Sequence, residues 1–328
     1  MKIMDIIDSR TVADFQKFTF SGHLRTHVYK VLDENIKLGH ADYTCYWILE
    51  LMSSGLIHSC WNTLFLSTAQ HINRGAPNAF VHLVRMYERF SEYETRYSVV
   101  NMTEIRNNHE ARLLLCEVGA SLALCRKAKL PSLPRIKPEH DFTPVVIQEN
   151  LKSPTSIYAR AIMKQEDPME LYVPTNELAY CLRAETRDSA RALYWISWIL
   201  AYSAKFKLDN KKHLICAYRS NEYVEEKYLR SPIWIIWSVV HETVRTSPQT
   251  GLLTPFIDCL YKMYCLRFSQ GDLKKRLPFL ISAVLFICES TTLDVHYPVP
   301  TNIATVQDIV TNIPQWISAI IQTKKTFA

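Results

Sequence analysis

Proline placement does more than any other feature to limit what this chain can fold into. Fifteen prolines occur in the sequence, and Pro131, Pro134, Pro138, Pro144, Pro154, Pro168 and Pro174 fall between residues 129 and 175. Proline has no amide proton and its ring clashes with the preceding helical turn, so no long helix runs through that stretch. On either side the pattern is the opposite. Glycine is scarce, seven in the whole chain, and apolar residues recur at helical spacing over segment after segment.

The spacing predicts helices near 24–36, 41–53, 57–72, 78–96 and 107–127. After the proline stretch it predicts helices near 175–184, 187–206, 231–244, 254–268 and 273–290, with a last short helix in "IPQWISAIIQTKK". Gly55 stands where a left-handed stop is expected. Asn107 with Glu110 fits a capping box, and Ser231-Pro232 and Thr254-Pro255 fit helix starts. The expected fold class is all-α, two multi-helix units joined by a proline-rich linker: residues 1–128, the linker 129–175, and residues 176–328.

Tyr46-Trp47-Ile48 returns as Tyr194-Trp195-Ile196, Trp61 as Trp237, Met86-Tyr87 as Met263-Tyr264, and Arg112-Leu113 as Arg276-Leu277, in the same order. Ordered self-similarity of this kind is the mark of stacked helical units, and it points to an internal duplication. Residues 41–127 and 187–290 are expected to superpose, with Trp47 and Trp195 both buried. The helices carrying these Trp residues are apolar nearly all round, so core packing accounts for the aromatic pairs.

Composition removes several function classes. Backbone-cradled phosphates need glycine at the point of approach, and no GxGxxG, GxxxxGK[ST] or GxSxG occurs. The nine cysteines form no CxxC pair and sit in apolar stretches, which suits reduced thiols in an intracellular protein. The N-terminal decapeptide lacks a signal-peptide apolar run. The longest apolar runs, Ala192–Ala204 and Pro278–Cys288, fall short of the roughly 20 residues a membrane span requires.

Candidate chemistry is sparse. His23 and His27 in "HLRTH" would share a helical face, but no third ligand stands nearby. His241-Glu242 begins like HExxH, and Arg245 occupies the second histidine's position. No metal or cofactor is expected. The segment "CRKAKLPSLPRIKP" carries Arg126, Lys127, Lys129, Arg135 and Lys137 with no acid between Glu117 and Glu139. With a net charge of +6, these five are the candidate nucleic-acid contacts. A solvated linker, or cations serving a helix C-terminus, is the competing explanation.

The phrases "FTFSGHLRTHVYKVL", "ADYTCYWILELMSSGLIHSCW" and "NELAYCLRAETRDSARALYWISWIL" resemble uncharacterised, largely helical proteins encoded by large double-stranded DNA viruses of eukaryotes. The resemblance implies an intracellular viral protein of host cytoplasm, viral factory or virion, and it transfers no active-site residue. The expected function is a non-enzymatic helical interaction or scaffold protein with viral protein partners. The alternative is an accessory factor of viral replication or transcription that touches nucleic acid through the basic linker. An enzyme with dispersed catalytic residues ranks third.

Overall fold

The computed structural model describes residues 5–96, 102–289, 293–296, 299 and 302–324. The protein is all-α, and among the described residues there is no β-strand; a single isolated bridge joins Phe18 to Leu24. In chain order the helices are α1 (Arg25–Leu38), α2 (Ala41–Ser53), α3 (Ile57–Ser67), α4 (Asn78–Arg96) and α5 (His109–Leu124). The short α6 (Pro138–Asp141) and α7 (Pro144–Asn150) follow. Then come α8 (Tyr172–Leu182), α9 (Ser189–Asn210), α10 (Ile233–Thr246), α11 (Thr250–Cys265), α12 (Leu273–Cys288), α13 (Ile303–Val310) and α14 (Ile313–Gln322).

These helices form two compact units, but not with the expected boundaries. Unit 1 comprises Met1–Lys129 together with Val295–Ala328, and unit 2 is Leu130–Asp294. The segment expected to close the second unit closes the first instead. Its helix α14 buries Ile313, Ile317 and Ile320, a spacing that leaves one apolar stripe in need of a partner. That partner is α2, while α13 packs on α5. Polar contacts fix the arrangement. The fully buried Glu50 of α2 accepts from the Ser21 amide and hydroxyl, both at 2.8 Å, and Thr323 beyond α14 donates to Ser21 Oγ at 3.0 Å.

Residues 129–175 were expected to be a linker, and from Leu130 onward they belong to unit 2. The segment is a strap. Where its backbone amides do not pair within α6 or α7, buried side chains of α8 receive several of them. Glu177 accepts from Lys152 and Ser153 (2.9 and 3.1 Å), and Asn176 Oδ1 accepts from Tyr158 and Ala159 (2.9 and 3.2 Å). Earlier in the segment, Phe142 lies edge-on to Trp198 at 4.8 Å, and Trp198 Nε1 donates to the Asp141 carbonyl at 3.0 Å.

Both units use a similar pattern of helix partners. In unit 1, α1 packs on α2, α3 and α5, α2 on α5, and α4 on α3 and α5. In unit 2, α8 packs on α9, α10 and α12, α9 on α12, and α11 on α10 and α12. Tyr46 and Trp47 meet edge-on at 5.2 Å, as Tyr194 and Trp195 do at 5.1 Å. Trp61 meets Tyr87 at 5.4 Å, and Trp237 meets Tyr264 at 5.2 Å. The units also differ. The closest partner of α2 is α5, whereas that of α9 is α8. Trp195 is fully buried, but Trp47 is only half-buried, its ring against the edge of His23 at 5.2 Å.

Helix limits shift where a breaker was read as a start. α11 begins a turn earlier than Thr254, so Pro255 lies inside it. Asn108, not Asn107, caps α5 by accepting from the Ala111 amide at 2.9 Å. The helix expected over 57–72 changes to a π-turn at Thr68–Ile72.

Candidate functional site

The five candidate cations divide between the two units, Arg126, Lys127 and Lys129 in unit 1 and Arg135 and Lys137 in unit 2. Lys127 is already in use. Helix α5 ends at Leu124, and the Lys127 ammonium donates to the carbonyls of Leu122, Ala123 and Cys125 at 3.0, 2.7 and 2.7 Å. A cation at a helix C-terminus also opposes the negative end of the helix dipole. Burial lowers the Lys127 pKa from its ordinary value. Arg126, Lys129, Arg135 and Lys137 are exposed and make no ion pair among the described residues.

The segment around Lys127 is held by the π-turn. The Ala128 amide donates to the His71 carbonyl at 2.9 Å, and Asn73 Nδ2 donates to the Ala128 carbonyl at 2.7 Å. Asn73 has φ 32°, a left-handed value that a non-glycine residue adopts only under constraint. A Cβ on Gly75 would lie 2.3 Å from the Arg126 carbonyl oxygen, so only glycine fits there. Beneath the turn, Asp33 accepts from the Ser67 hydroxyl and faces His71 Nε2 at 3.1 Å. Burial pushes the Asp33 carboxyl up, but the His71 and Ser67 hydrogen bonds outweigh it and the pKa is lowered. A serine nucleophile needs the imidazole to take its proton. Here the carboxylate stands between serine and histidine, so the trio buttresses the turn.

Burial holds several thiols in their neutral form. All nine cysteines are free. Burial pushes the thiol of Cys125 up to about 11, and those of Cys181, Cys216, Cys265 and Cys288 up to about 12. None of these five is a thiolate at neutral pH, the form that nucleophilic chemistry requires. His23 precedes the start of α1 at Arg25, so it does not share a helical face with His27. Burial depresses His82 to about 4. Among the described residues no group of three histidine, cysteine or carboxylate side chains is placed to hold a metal ion, and no helix is long and apolar enough to cross a membrane.

Unit 2 contains two features that the sequence did not reveal. The first is a cleft of about 420 Å³ beside the C-terminal ends of α8 and α10, with the strap residues Ile157, Tyr158 and Ile162 along one side. Arg183 and Arg187, from the turn between α8 and α9, stand at its rim. The second is a turn of the strap locked to the extended segment 213–219 by a buried ion pair. Arg219 donates to both Asp167 oxygens, at 2.9 and 2.6 Å. The same carboxylate accepts from the Ala217 and Lys164 amides at 2.9 and 2.8 Å. In residues 214–219, Leu214, Cys216 and Arg219 turn inward while Ile215 and Tyr218 turn outward. On the strap, Ile157, Met169 and Val173 are exposed as well.

The chain matches no protein-family model, no curated protein and no solved structure.

Proposed function

We propose that the protein is a helical interaction protein that organises a protein assembly and performs no chemistry of its own. The observation that supports this most is the outward apolar set on the locked segments of unit 2. Met169 is 75% exposed, Ile157 61% and Ile215 61%. Exposed large apolar side chains of this kind are candidates for a partner surface where they form a contiguous patch. The Asp167–Arg219 pair gives that backbone its rigidity. The resemblance to proteins of large DNA viruses suggests viral partners in an infected cell. In this reading the two five-helix arrangements are copies of one ancestral unit, and the strap is what the second copy gained.

Photo-crosslinking in infected cells tests the proposal. A crosslinking residue placed at Met169 or Ile215 should capture a defined partner that the same residue at Lys205, exposed on α9 by its fractional side-chain accessibility of 43%, does not. Equal or no capture from all three positions would refute the reading.

A second reading has one observation in its favour: Arg126, Lys129, Arg135 and Lys137 are exposed and unpaired among the described residues. If these cations followed a phosphate backbone, changing all four to Gln would flatten the salt dependence of binding by about four units, about one per lost contact. Lys127 would contribute nothing. The interaction reading expects no salt-dependent DNA or RNA binding in an anisotropy titration of the unaltered protein.

A further inference from the structure

The cleft in unit 2 has one charge left over. Arg183 pairs with Glu185 at 3.1 Å, and Arg245 takes both Glu242 oxygens at 2.8 and 2.6 Å. Arg187 makes no ion pair among the described residues; its Nη2 donates to Gln249 Oε1 at 3.2 Å. The Gln249 amide in turn donates to Ser247 Oγ at 3.1 Å. One residue therefore holds the Arg187 guanidinium and the Ser247 hydroxyl at the same rim. Ser247 accepts in that contact, so its own proton remains available to donate.

The backbone presents Arg187 at some conformational cost. Its φ is 45°, a left-handed value that favours glycine. Two hydrogen bonds impose it, Arg187 amide to the Arg183 carbonyl and Asp188 amide to the Cys181 carbonyl, both at 2.9 Å. Strain of this kind, where an arginine stands in place of the glycine the backbone prefers, is common at ligand-holding positions.

The lining of the cleft is mixed, with Glu185, Thr243 and Thr246 beside aliphatic side chains. Among the latter, Ile162, Ala179, Leu182 and Ile287 are buried in the fold. Tyr158 forms a wall; its ring stacks on Tyr180 at 5.6 Å and carries the Arg183 guanidinium at 4.9 Å. A volume of about 420 Å³ lies within the size range of small-ligand sites.

We propose that this cleft binds a monocarboxylate with an aliphatic body, the carboxylate on Arg187 and Ser247 and the body against Leu182 and Ile287. The site shares Ile157 with the interaction surface proposed above, but it does not depend on that reading. Two sources present this chemistry, a free short-chain fatty acid and the C-terminal aliphatic residue of a peptide.

Calorimetric titration of the full chain tests the proposal. The probes are octanoate, 1-octanol, octylamine, and acetyl-Ala-Ala-Leu as free acid and as amide. Octanoate or the free-acid peptide should bind with a Kd of about 1 mM or tighter, and the alcohol, amine and amide at least about tenfold more weakly. Arg187→Gly should weaken carboxylate binding by at least about tenfold while leaving the melting temperature unchanged or higher, because glycine accepts the left-handed backbone. Arg187→Gln, which keeps the side-chain bulk, should weaken it similarly. Tighter binding of the peptide acid than of octanoate identifies a chain terminus as the source, and the reverse identifies a free acid. Equal binding of octylamine or octanol, no binding of either carboxylate at about 10 mM, or unchanged binding by both folded variants would overturn the proposal.

Discussion

Asp167 and Arg219 show how much one pair of side chains is asked to do. Burying both charges is costly, and the cost is met here because the carboxylate also accepts two backbone amides while the guanidinium also donates to Ser238 Oγ and to the Ile162 carbonyl. Asp167→Ala should lower unfolding stability by about 3–5 kcal/mol, since it leaves a buried guanidinium unpaired; chemical denaturation would measure it. The pH dependence has a definite sign. Burial raises the Asp167 pKa, but Arg219 and the two amides outweigh it and the folded value is lowered. Its contribution is therefore complete above the unfolded carboxylate value of about 3.9 and is lost as pH falls through the folded value. Arg112 of α5 and Arg276 of α12 make a matched pair. Each is the fourth residue of its helix, is buried, and donates to carbonyls of the preceding segment: Arg112 to Arg106 at 2.6 Å, Arg276 to Met263 and Tyr264 at 3.0 and 2.9 Å. If the units are copies, Arg112→Met and Arg276→Met should destabilise by similar amounts, each about 1–3 kcal/mol for the carbonyls left unsatisfied. Costs differing several-fold in thermal melts would count against common ancestry.

At the scale of the element, glycine marks where helices must touch and where they need not. Gly119 of α5 faces α2 so closely that a Cβ would sit 2.2 Å from Ile48 Cδ1, while a Cβ on Gly251, in the first turn of α11, would meet nothing within 4 Å. Gly119→Leu should therefore cost about 1–3 kcal/mol through overpacking. Gly251→Ala should add about 0.5–1 kcal/mol by removing the entropy that glycine loses in a helix. Differential scanning calorimetry of the two variants would show opposite shifts. Most helices were legible because apolar spacing alone places Ile48, Trp195 and Phe279 in a core. The errors came where local chemistry has two outcomes. Pro255 is compatible with a helix start or with the second turn, and here α11 begins at Thr250. Proline between 129 and 175 does exclude a long helix, but it does not say whether the chain hangs free. The deciding partners are Asn176 and Glu177, polar residues on α8 whose spacing gives no sign that they will be buried. The cleft was illegible for a related reason: Tyr158, Arg187, Ser247 and Ile287 come from four separate segments, and no spacing rule joins them.

For the whole molecule, the important fact is that unit 1 is discontinuous. α13 and α14 complete it, yet an intact second unit of the chain separates them from α1–α5. This too was illegible, because the apolar stripe of α14 states only that a partner exists. Deleting residues 302–324 uncovers faces of α2 and α5 and should speed hydrogen exchange throughout α1–α5 while leaving α8–α12 as protected as before. Mass spectrometry of the exchanged protein would check this; equal loss of protection in both units would refute the division. The arrangement also sets an order of events on the ribosome. Residues are added at roughly 5–20 per second, so α1–α5 emerge and then wait on the order of ten seconds or more for the two helices that cover them. Unit 2 is finished first although its sequence begins later. The half-made unit 1 therefore passes through synthesis with its apolar groove open, the stage at which a chaperone or an early partner has access to a surface that the completed protein conceals.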